Sequence, residues 1–150
     1  MSNICLVGSH GGHLFQMTRL MSDLEMNGYK TFIITYDEAS ILSLKWKKYF
    51  IKNIGINIFL FLKGFLQMAY IFKNEKPDIL VTTGAEIAIA AIFLCKIMQI
   101  PTIFIESLAR IEKPSYSGIL VYPLVDYFFI QSPKLKKHYG PKAVYMGTLI

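Results

Sequence analysis

Residues 3–13 read NICLVGSHGGH, an apolar run that is followed at once by a glycine-rich turn. The continuous run from Ile4 to Val7 is typical of a strand that is buried on both faces. The segment from His13 to about Asn27 has helical character, and Gly28 ends it. A buried strand, a glycine turn and a helix in this order predict the start of a doubly wound α/β domain.

Short β-rich runs and helical stretches alternate along the rest of the chain. The pattern predicts further strands at Thr31–Thr35, Tyr49–Lys52, Ile79–Thr82, Thr102–Ile105, Tyr127–Ile130 and Lys142–Tyr145. It predicts helices at Asp37–Ser43, Ile54–Lys73, Glu86–Met98, Ser117–Tyr122 and Pro133–Tyr139. This alternation predicts an α/β fold: a Rossmann-like parallel sheet with helices on both faces. At 150 residues the chain fits one domain, residues 1–150.

The glycine-rich turn lies where the loops of such a sheet gather and where its ligands bind. Glycines allow close approach of a ligand to the backbone, and the helix N-terminus that follows offers free N–H groups to an anion. The spacing GxxGG differs from the dinucleotide fingerprint, and no Lys-Ser/Thr pair follows as in a Walker A loop. We predict that Gly8, Ser9, Gly11 and Gly12 form a phosphate-binding loop. The alternative is a tight turn that needs glycine at positive φ.

Two side chains at the predicted strand ends are candidate general bases. His13 begins a helix, whose dipole lowers the imidazole pKa and favours the neutral form that a base requires. Glu106 closes a strand, so its carboxylate can act as a base or hold sugar hydroxyls. The alternatives are a capping or packing role for His13, and an N-cap or an ion pair with Arg110 for Glu106. His10 is expected to be an exposed loop residue, and two histidines without an acidic ligand predict no metal site.

Further polar residues follow the same strand ends and complete the predicted cleft. Thr83, Gly84 and Glu86 come after one strand, and Ser107 and Arg110 come after the next. We expect Glu86 also to stabilise the dipole of its own helix, because it lies in the first turn.

The predicted helix Ile54–Lys73 is more apolar than coverage of a sheet requires. Its polar residues fall within a strip roughly 120° wide, and a sheet needs an apolar face of only about 100°. Basic residues flank the helix, which favours a monotopic contact with anionic headgroups. A lysine in mid-stretch argues against a membrane span. The alternative is a fully buried helix with a solvated lysine face. The predicted membrane-contact residues are Phe59, Phe61, Lys63, Phe65, Phe72, Lys45, Lys47 and Lys48.

The overall composition is apolar and basic. Hydrophobic residues make up 53% of the chain, the mean hydropathy is +0.41 and the formal net charge is +6. This balance suits anionic lipid or a phosphorylated ligand. Because no nucleic-acid-binding motif is present, we predict no nucleic-acid partner. Cys5 and Cys95 lie in apolar segments and are predicted to be buried thiols of a reducing compartment. No basic segment precedes the first strand, so no signal peptide is predicted.

Five motifs follow one another in an order that is characteristic of one family. They are Gly8-Ser9-His10-Gly11-Gly12-His13, Lys76-Pro77-Asp78 with Thr82-Thr83-Gly84-Ala85, Phe104-Ile105-Glu106-Ser107-Leu108-Ala109-Arg110, Tyr122-Pro123-Leu124-Val125-Asp126 and Tyr145-Met146-Gly147. In this combination the chain resembles the non-catalytic membrane subunit of the bipartite enzyme that adds the second N-acetylglucosamine to dolichol-pyrophosphate-N-acetylglucosamine. It is also similar to the enhancer subunits of bacterial capsular and exopolysaccharide glycosyltransferases. A more distant resemblance is to the N-terminal half of MurG.

The resemblance implies a GT-B glycosyltransferase that is split over two chains, of which this one is equivalent to the N-terminal half. This chain would bind a polyprenyl-diphosphate-linked sugar, and a separate subunit would bind the UDP-sugar. The pair would be an inverting hexosyltransferase of polysaccharide or lipid-linked oligosaccharide biosynthesis, without a cofactor and with this chain inactive alone. The expected location is the cytoplasmic face of the membrane, as a peripheral protein, because the membrane anchor of the eukaryotic pattern is missing.

The resemblance also implies roles for the candidate residues. Gly8, Ser9, Gly11 and Gly12 would lie near the acceptor diphosphate, and His13 and Glu106 would be candidates for the base. The acceptor sugar would lie near Thr83, Gly84, Glu86, Ser107 and Arg110. Two other functions fit the same residues: a stand-alone module that binds a nucleotide or sugar nucleotide, and a membrane recruiter without a catalytic residue.

Overall fold

The computed structural model describes residues 2–37, 45–52 and 57–149. Within them, one sheet contains β1 Asn3–Val7, β2 Lys30–Tyr36, β3 Lys47–Ile51, β4 Ile79–Thr82, β5 Thr102–Ile105, β6 Tyr127–Ile130 and β7 Ala143–Tyr145. The helices of the same residues are α1 Gly12–Met26, α2 Ile58–Glu75, α3 Glu86–Met98, α4 Tyr116–Val121 and α5 Lys136–Tyr139, the last preceded by a 3₁₀ turn, Pro133–Leu135. These bounds lie within a few residues of the predicted ones.

The strands are all parallel and lie in the order β3-β2-β1-β4-β5-β6-β7. β1 is central: Cys5 is opposite Phe32 of β2 on one side and Leu80 of β4 on the other. The direction in which strands are added reverses at β1, which makes the boundary between β1 and β4 the switch point of the sheet. The predicted Rossmann-like parallel sheet is confirmed.

Each face of the sheet carries its own apolar core. Along β1, Cys5 and Val7 point to the core that α2, α3, α4 and α5 cover, and Ile4 and Leu6 point to the core beneath α1. This alternation follows from the two-residue repeat of a strand. It also explains why β1 is apolar at every position from Ile4 to Val7, because neither face meets water.

The ends of α2 follow ordinary capping chemistry. Asn57 caps the N-terminus, since its side chain accepts hydrogen bonds from the backbone N–H groups of Phe59 and Leu60. At the other end, Lys76 takes the left-handed conformation just before Pro77, which cannot continue a helix. The predicted helix started at Ile54, but residues 53–56 lie outside the described residues. Residues 38–44 also lie outside the described residues. They include all but the first residue of the predicted helix Asp37–Ser43.

Candidate functional site

The carboxyl ends of β1, β4 and β5 open onto a cleft at the switch point of the sheet. Doubly wound sheets bind their ligands at such a crevice. The cleft has a volume of 530 Å³ and is lined by His13, Ala85, Glu86, Ile89, Ser107, Ala109, Arg110, Ser115, Tyr116 and Ser117. It therefore brings together four residues that the sequence predicted for the site, namely His13, Glu86, Ser107 and Arg110.

A larger cavity of 680 Å³ lies at the opposite end of the sheet, where its lining includes Glu25, Lys30, Trp46 and Glu75. That end faces the carboxyl termini of helices, because α1 and α2 run antiparallel to the strands beside them. Helix N-termini, which attract anions, lie at the cleft instead. We therefore take the smaller cleft as the candidate site.

The glycine loop leads from β1 into α1, and His13 is its residue among those that line the cleft. Gly8 and Ser9 are buried, whereas Gly11 and Gly12 are exposed. Gly11 is the N-cap of α1 with a φ of 68°, which favours glycine, and no side chain of the described residues caps this helix. A Cβ at Gly11 or Gly12 would meet nothing within 4 Å. The loop thus offers uncapped N–H groups with open space in front of them.

His13 lies in the first turn of α1, partly buried, at the side of the cleft. Its Nδ1 is 3.1 Å from the Thr83 hydroxyl, a contact that fixes the ring between β1 and β4. The pKa of His13 is lowered because burial disfavours the imidazolium, although the Glu106 carboxylate opposes this shift. The predicted direction of the pKa shift therefore agrees with the structure, and its largest cause is burial. A neutral imidazole is the form that accepts a proton.

A second uncapped helix N-terminus faces the same cleft. Gly84 and Ala85 turn the chain from β4 into α3 with φ angles of 114° and 70°, and in the described structure no side chain caps α3. The Thr82 hydroxyl braces this turn, since it donates to Val7 O (2.6 Å) and accepts from Gly84 N (3.3 Å). Glu86 lies in the first turn of α3, as predicted, and accepts a hydrogen bond from the Tyr36 hydroxyl at 3.0 Å.

Glu106 is not a cleft-facing carboxylate, and the sequence-based expectation for it needs correction. The residue is 0% exposed. Its two oxygens accept hydrogen bonds from Ser107, Ser115 and Tyr139, and Arg110 is not among the partners. Because protein donors surround the carboxylate, no oxygen is presented to a substrate hydroxyl. The prediction of Glu106 as an open base, and that of an ion pair with Arg110, are both wrong in this structure.

Gln131, just after β6, links several segments at the carboxyl end of the sheet. Its side-chain N–H₂ donates to the backbone oxygen of Glu106 at 2.9 Å and to Gln16 of α1 at 2.7 Å. Its side-chain oxygen accepts from Leu149 N at 2.8 Å. One buried amide therefore joins β5, β6, α1 and the segment after β7. These hydrogen bonds fix the position of the first turns of α1 relative to the sheet.

The outer side of α2 exposes large apolar side chains, as the width of its apolar arc predicted. α3 packs against α2 on one side and against α4 on the other. Both α3 and α4 also expose apolar residues. We call this set the three-helix apolar surface; it consists of Ile58, Phe59, Leu62, Leu66, Tyr70, Phe93, Ile97, Tyr116, Ile119 and Leu120. None of the helices described for this chain combines the length and the apolar character needed to cross a bilayer.

Some of the predicted membrane-contact residues lie elsewhere. Phe59 is 78% exposed, but Phe72 is 0% exposed and belongs to the core, so its assignment to the membrane contact is wrong. Phe61 and Phe65 are half-buried against the same core. Lys47 is paired with Glu75 on the edge of the sheet at 2.8 Å. Lys63 and Lys45 are exposed, and Lys48 is half-buried.

Comparison with known proteins identifies the family. Residues 48–149 match the family described as "Oligosaccharide biosynthesis protein Alg14 like". The chain belongs to this Alg14-like family. A relative from Homo sapiens, named UDP-N-acetylglucosamine transferase subunit ALG14, is 27% identical over 181 residues, which cover 99% of this chain and 83% of the relative. The resemblance found in the sequence motifs is thereby confirmed.

Two further matches connect this Alg14-like chain to MurG. A Clostridium botulinum relative, named UDP-N-acetylglucosamine--N-acetylmuramyl-(pentapeptide) pyrophosphoryl-undecaprenol N-acetylglucosamine transferase, is 30% identical over 95% of this chain and 44% of its own length. The crystal structure of Acinetobacter baumannii MurG superposes with a TM-score of 0.82 at 14% identity, covering 97% of this chain and 46% of that one. The chain spans less than half of these transferases, and its fold is that of the N-terminal Rossmann-like domain of a GT-B enzyme.

Several residues that shape the site in this Alg14-like chain were not predicted from the sequence. Ser115 and Tyr139 bind the Glu106 carboxylate, and Gln131 donates a hydrogen bond to the Glu106 backbone oxygen. One signal was available for Tyr139: with Leu135 it forms an i, i+4 pair in an otherwise basic helix, and this spacing marks the inward side. The partner that Tyr139 finds lies 33 residues away in sequence, which no local pattern indicates.

Proposed function

We propose that this chain is the acceptor-side subunit of a two-chain, inverting transferase of N-acetylglucosamine in lipid-linked oligosaccharide or capsular and exopolysaccharide biosynthesis. The observation that carries the proposal is the position of His13 between two uncapped helix N-termini in one cleft. A site of this kind suits a diphosphate beside a hydroxyl that must lose its proton. The names of the relatives supply the class of sugar donor.

The diphosphate of a polyprenyl-linked sugar fits the N-termini of α1 and α3. Free backbone N–H groups and the positive end of the helix dipole favour an anion at such a position. Gly11 and Gly12, which are exposed, offer the closest approach on the α1 side, and Ala85 lines the cleft on the α3 side. Arg110, on the loop after β5, adds a guanidinium to the cleft wall.

His13 is the proposed base. The acceptor hydroxyl attacks the anomeric carbon of the UDP-sugar, the bond from that carbon to the UDP oxygen breaks, and UDP leaves as the anion. The hydroxyl proton passes to the imidazole nitrogen that Thr83 does not contact, Nε2. The lowered pKa of His13 keeps the ring neutral near pH 7, and a positioned base contributes roughly 10²–10⁴-fold to the rate.

The three-helix apolar surface is the proposed contact with the membrane. A lipid-linked acceptor must be reached at the bilayer, and exposed Phe59, Leu62 and Leu66 can enter the boundary between headgroups and acyl chains. Lys63 lies on the same helix, and the chain carries a net charge of +6, which adds attraction to anionic lipid. We assign the protein to the cytoplasmic face, where UDP-sugars are available to a partner subunit.

The test uses this chain together with its UDP-sugar-binding partner, and a prenyl-diphosphate sugar as acceptor. His13→Ala should lower kcat at least tenfold while the complex stays intact. Gly12→Ala should raise the acceptor KM without loss of stability, because its Cβ meets no protein atom but extends into the proposed diphosphate seat. His138→Ala, which changes an exposed histidine of α5, is the matched control.

The outcomes separate the proposal from its two alternatives. If His13→Ala keeps full activity in an intact complex, the base belongs to the partner and this chain is a recruiter. Tight binding of UDP or a UDP-sugar by this chain alone would favour the stand-alone nucleotide module. Loss of activity in His13→Ala together with unchanged behaviour of His138→Ala supports the proposed role.

A further inference from the structure

The Glu106 carboxylate lies inside the protein at the base of the loop Ser107–Pro114. Its Oε1 accepts from Ser107 N at 2.8 Å, and its Oε2 accepts from Ser115 N at 3.0 Å and from Ser115 Oγ at 2.9 Å. The Tyr139 hydroxyl donates to the same Oε2. One buried side chain therefore binds both ends of one loop.

The loop is held at its middle and at its exit as well. Ser132 Oγ donates to Ile111 O at 2.8 Å. At the exit, Ser115 is the N-cap of α4, since its Oγ accepts from Gly118 N at 2.9 Å while it donates to Glu106. The start of α4 and the path of the loop thus both depend on the same carboxylate.

The space around Glu106 fits this arrangement closely. A Cβ at Gly118 would lie 2.6 Å from Glu106 Oε2 and closer still to the Tyr139 hydroxyl. Only glycine at this position of α4 lets the tyrosine and the carboxylate meet. Burial of a carboxylate is costly unless hydrogen bonds compensate it, and each oxygen of Glu106 has at least one donor.

We propose that Glu106 is a positioning residue whose carboxylate fixes the loop Ser107–Pro114 as the acceptor-binding wall of the cleft. Ser107 and Arg110 lie on this loop, and Tyr116 follows it, all lining the cleft with His13. Arg110 is the cation among the described lining residues, and its planar guanidinium suits a diphosphate. The inference rests on the proposed function, because it assumes that the cleft holds the lipid-linked acceptor.

The proposal predicts a split between binding and chemistry when the carboxylate is removed. Glu106→Gln keeps the size of the side chain but places an N–H₂ group among donors. We expect amide exchange at Ser107, at Ser115 or at both to rise about tenfold or more in the full chain, because the amide keeps one acceptor oxygen and presents a donor at the other position. In the two-chain complex the acceptor KM should rise about tenfold, with kcat at saturating acceptor changed by less than about threefold.

The Glu106 charge also affects the pKa of His13, and a side chain that acted through packing alone would not do so. It raises the pKa of His13 against the larger effect of burial, so its removal should lower that pKa further. The other charged or titratable neighbours of His13, Glu86 and His10, remain in place. The acid limb of the rate profile should therefore shift to lower pH in Glu106→Gln, and an NMR titration of the His13 ring should show the same shift.

Two further variants keep the test decisive. Tyr139→Phe removes one donor at Oε2 and should raise amide exchange at Ser115 more than at Ser107, which binds Oε1. Glu112→Gln is the matched control, since it makes the same exchange of carboxylate for amide at an exposed side chain that pairs with Lys134 and is not among the residues that line the cleft. Its exchange pattern, KM and kcat should match those of the wild type.

The inference is overturned if Glu106→Gln leaves amide exchange at Ser107 and Ser115 at the level of Glu112→Gln. It is equally overturned if kcat falls by roughly 10²–10⁴-fold with KM and exchange unchanged, because that is the mark of a lost base. If no variant or wild-type complex transfers sugar, the proposed function fails. The amide exchange and the His13 titration then still show whether Glu106 positions the loop. If Glu106→Gln does not fold, Tyr139→Phe decides by the same exchange measurement.

Discussion

Ala85 holds a backbone conformation that residues with a Cβ rarely adopt, with φ of 70° and ψ of 174°. Conformations of this kind cost about 1–3 kcal/mol and persist where the surroundings over-determine them, often at binding sites. Together with Gly84 it turns β4 sharply into α3, so that the first N–H groups of this helix face the cleft. The backbone strain therefore lies in the turn that connects β4 to α3 beside the cleft.

Replacement of Ala85 by glycine tests whether that strain is real. We expect Ala85→Gly to raise the free energy of unfolding by about 1 kcal/mol, because relief of strain exceeds the entropy that glycine adds to the unfolded chain. Urea denaturation measures the difference. Ala109→Gly is the control, since Ala109 does not have a positive φ and should gain nothing. Equal effects of the two substitutions would show that Ala85 is relaxed.

His13 combines a partly buried ring with a hydrogen bond to Thr83, and this fixes the sign of its pH dependence. Its pKa lies below the ordinary 6.5, so the unfolded chain binds the proton more tightly than the folded one. Stability is therefore unaffected by this group above pH 6.5 and falls as the pH drops from 6.5 through the lowered pKa. Activity that requires the neutral ring falls over the same acidic range, with its midpoint at the lowered pKa.

A rate profile and a titration check this prediction. The acid limb of kcat/KM for the two-chain complex should have its midpoint below pH 6.5, and the NMR titration of His13 in the free chain should give a pKa below 6.5 as well. In His13→Ala, the decrease in the free energy of unfolding at low pH that comes from protonation of His13 should be absent. A midpoint at or above 6.5 would mean that burial does not control the ring.

At the scale of elements, α2 shows how one helix serves two surfaces. Met68, Ile71 and Phe72 face the core, and Phe59, Leu62 and Leu66 face outward. Gly64 is also buried. The Gln67 side-chain oxygen is buried and finds no hydrogen-bond partner among the described residues. An exposed apolar surface lowers the solubility of a protein. Contact with a membrane would remove this surface from water.

Two sets of substitutions separate the outer side of α2 from its inner side. Phe59→Ser, Leu62→Ser and Leu66→Ser together should shift the protein from vesicles that contain anionic lipid to the supernatant, with the unfolding transition nearly unchanged. Phe72→Ala should cost about 3–5 kcal/mol of stability because it leaves a cavity in the core. Sedimentation with vesicles and thermal unfolding measure the two effects. Full vesicle binding by the triple variant would exclude α2 as the contact.

The strands were predictable from sequence, whereas the orientation of α2 was not. β4, β5 and β6 are short apolar runs between turn residues, and each was placed at its observed bounds. On α2, apolar residues surround most of the helix, so periodicity alone does not distinguish the side that packs inward. The cleft was predictable to the extent that it follows from strand ends, as for His13 and Arg110. The burial of Glu106 depends on Tyr139, a contact set by tertiary structure.

At the scale of the whole molecule, the described residues form one sheet with one cleft at its switch point. The match to MurG covers 46% of that enzyme, and two Rossmann-like domains are the minimum of a GT-B transferase. Under the proposed function, the acceptor side and the donor side of the reaction belong to different domains. The net charge of +6 and the exposed apolar side chains suit a subunit that works between a membrane and a partner chain.

The 150-residue chain should show no transferase activity by itself and should not bind UDP tightly. The reason is that the one sheet of the described residues carries the proposed acceptor cleft, and the proposed donor site belongs to the partner. Assays of the pure chain with UDP-N-acetylglucosamine and a prenyl-diphosphate sugar, together with calorimetry with UDP, provide the measurement. Activity should appear on addition of the donor-binding partner. Measurable turnover by the pure chain would refute the division of labour.

The central place of β1 has a consequence for how the protein is made. Ile4 is opposite Ile79, a residue that leaves the ribosome 75 positions later. At about 5–20 residues per second, the first strand waits roughly 4–15 s before its second neighbour exists. During this time its apolar edge on that side has no partner, which is the condition in which unfinished chains associate with one another or with chaperones. β1 is therefore paired on both of its edges only after β2, β3 and α2 have been synthesised.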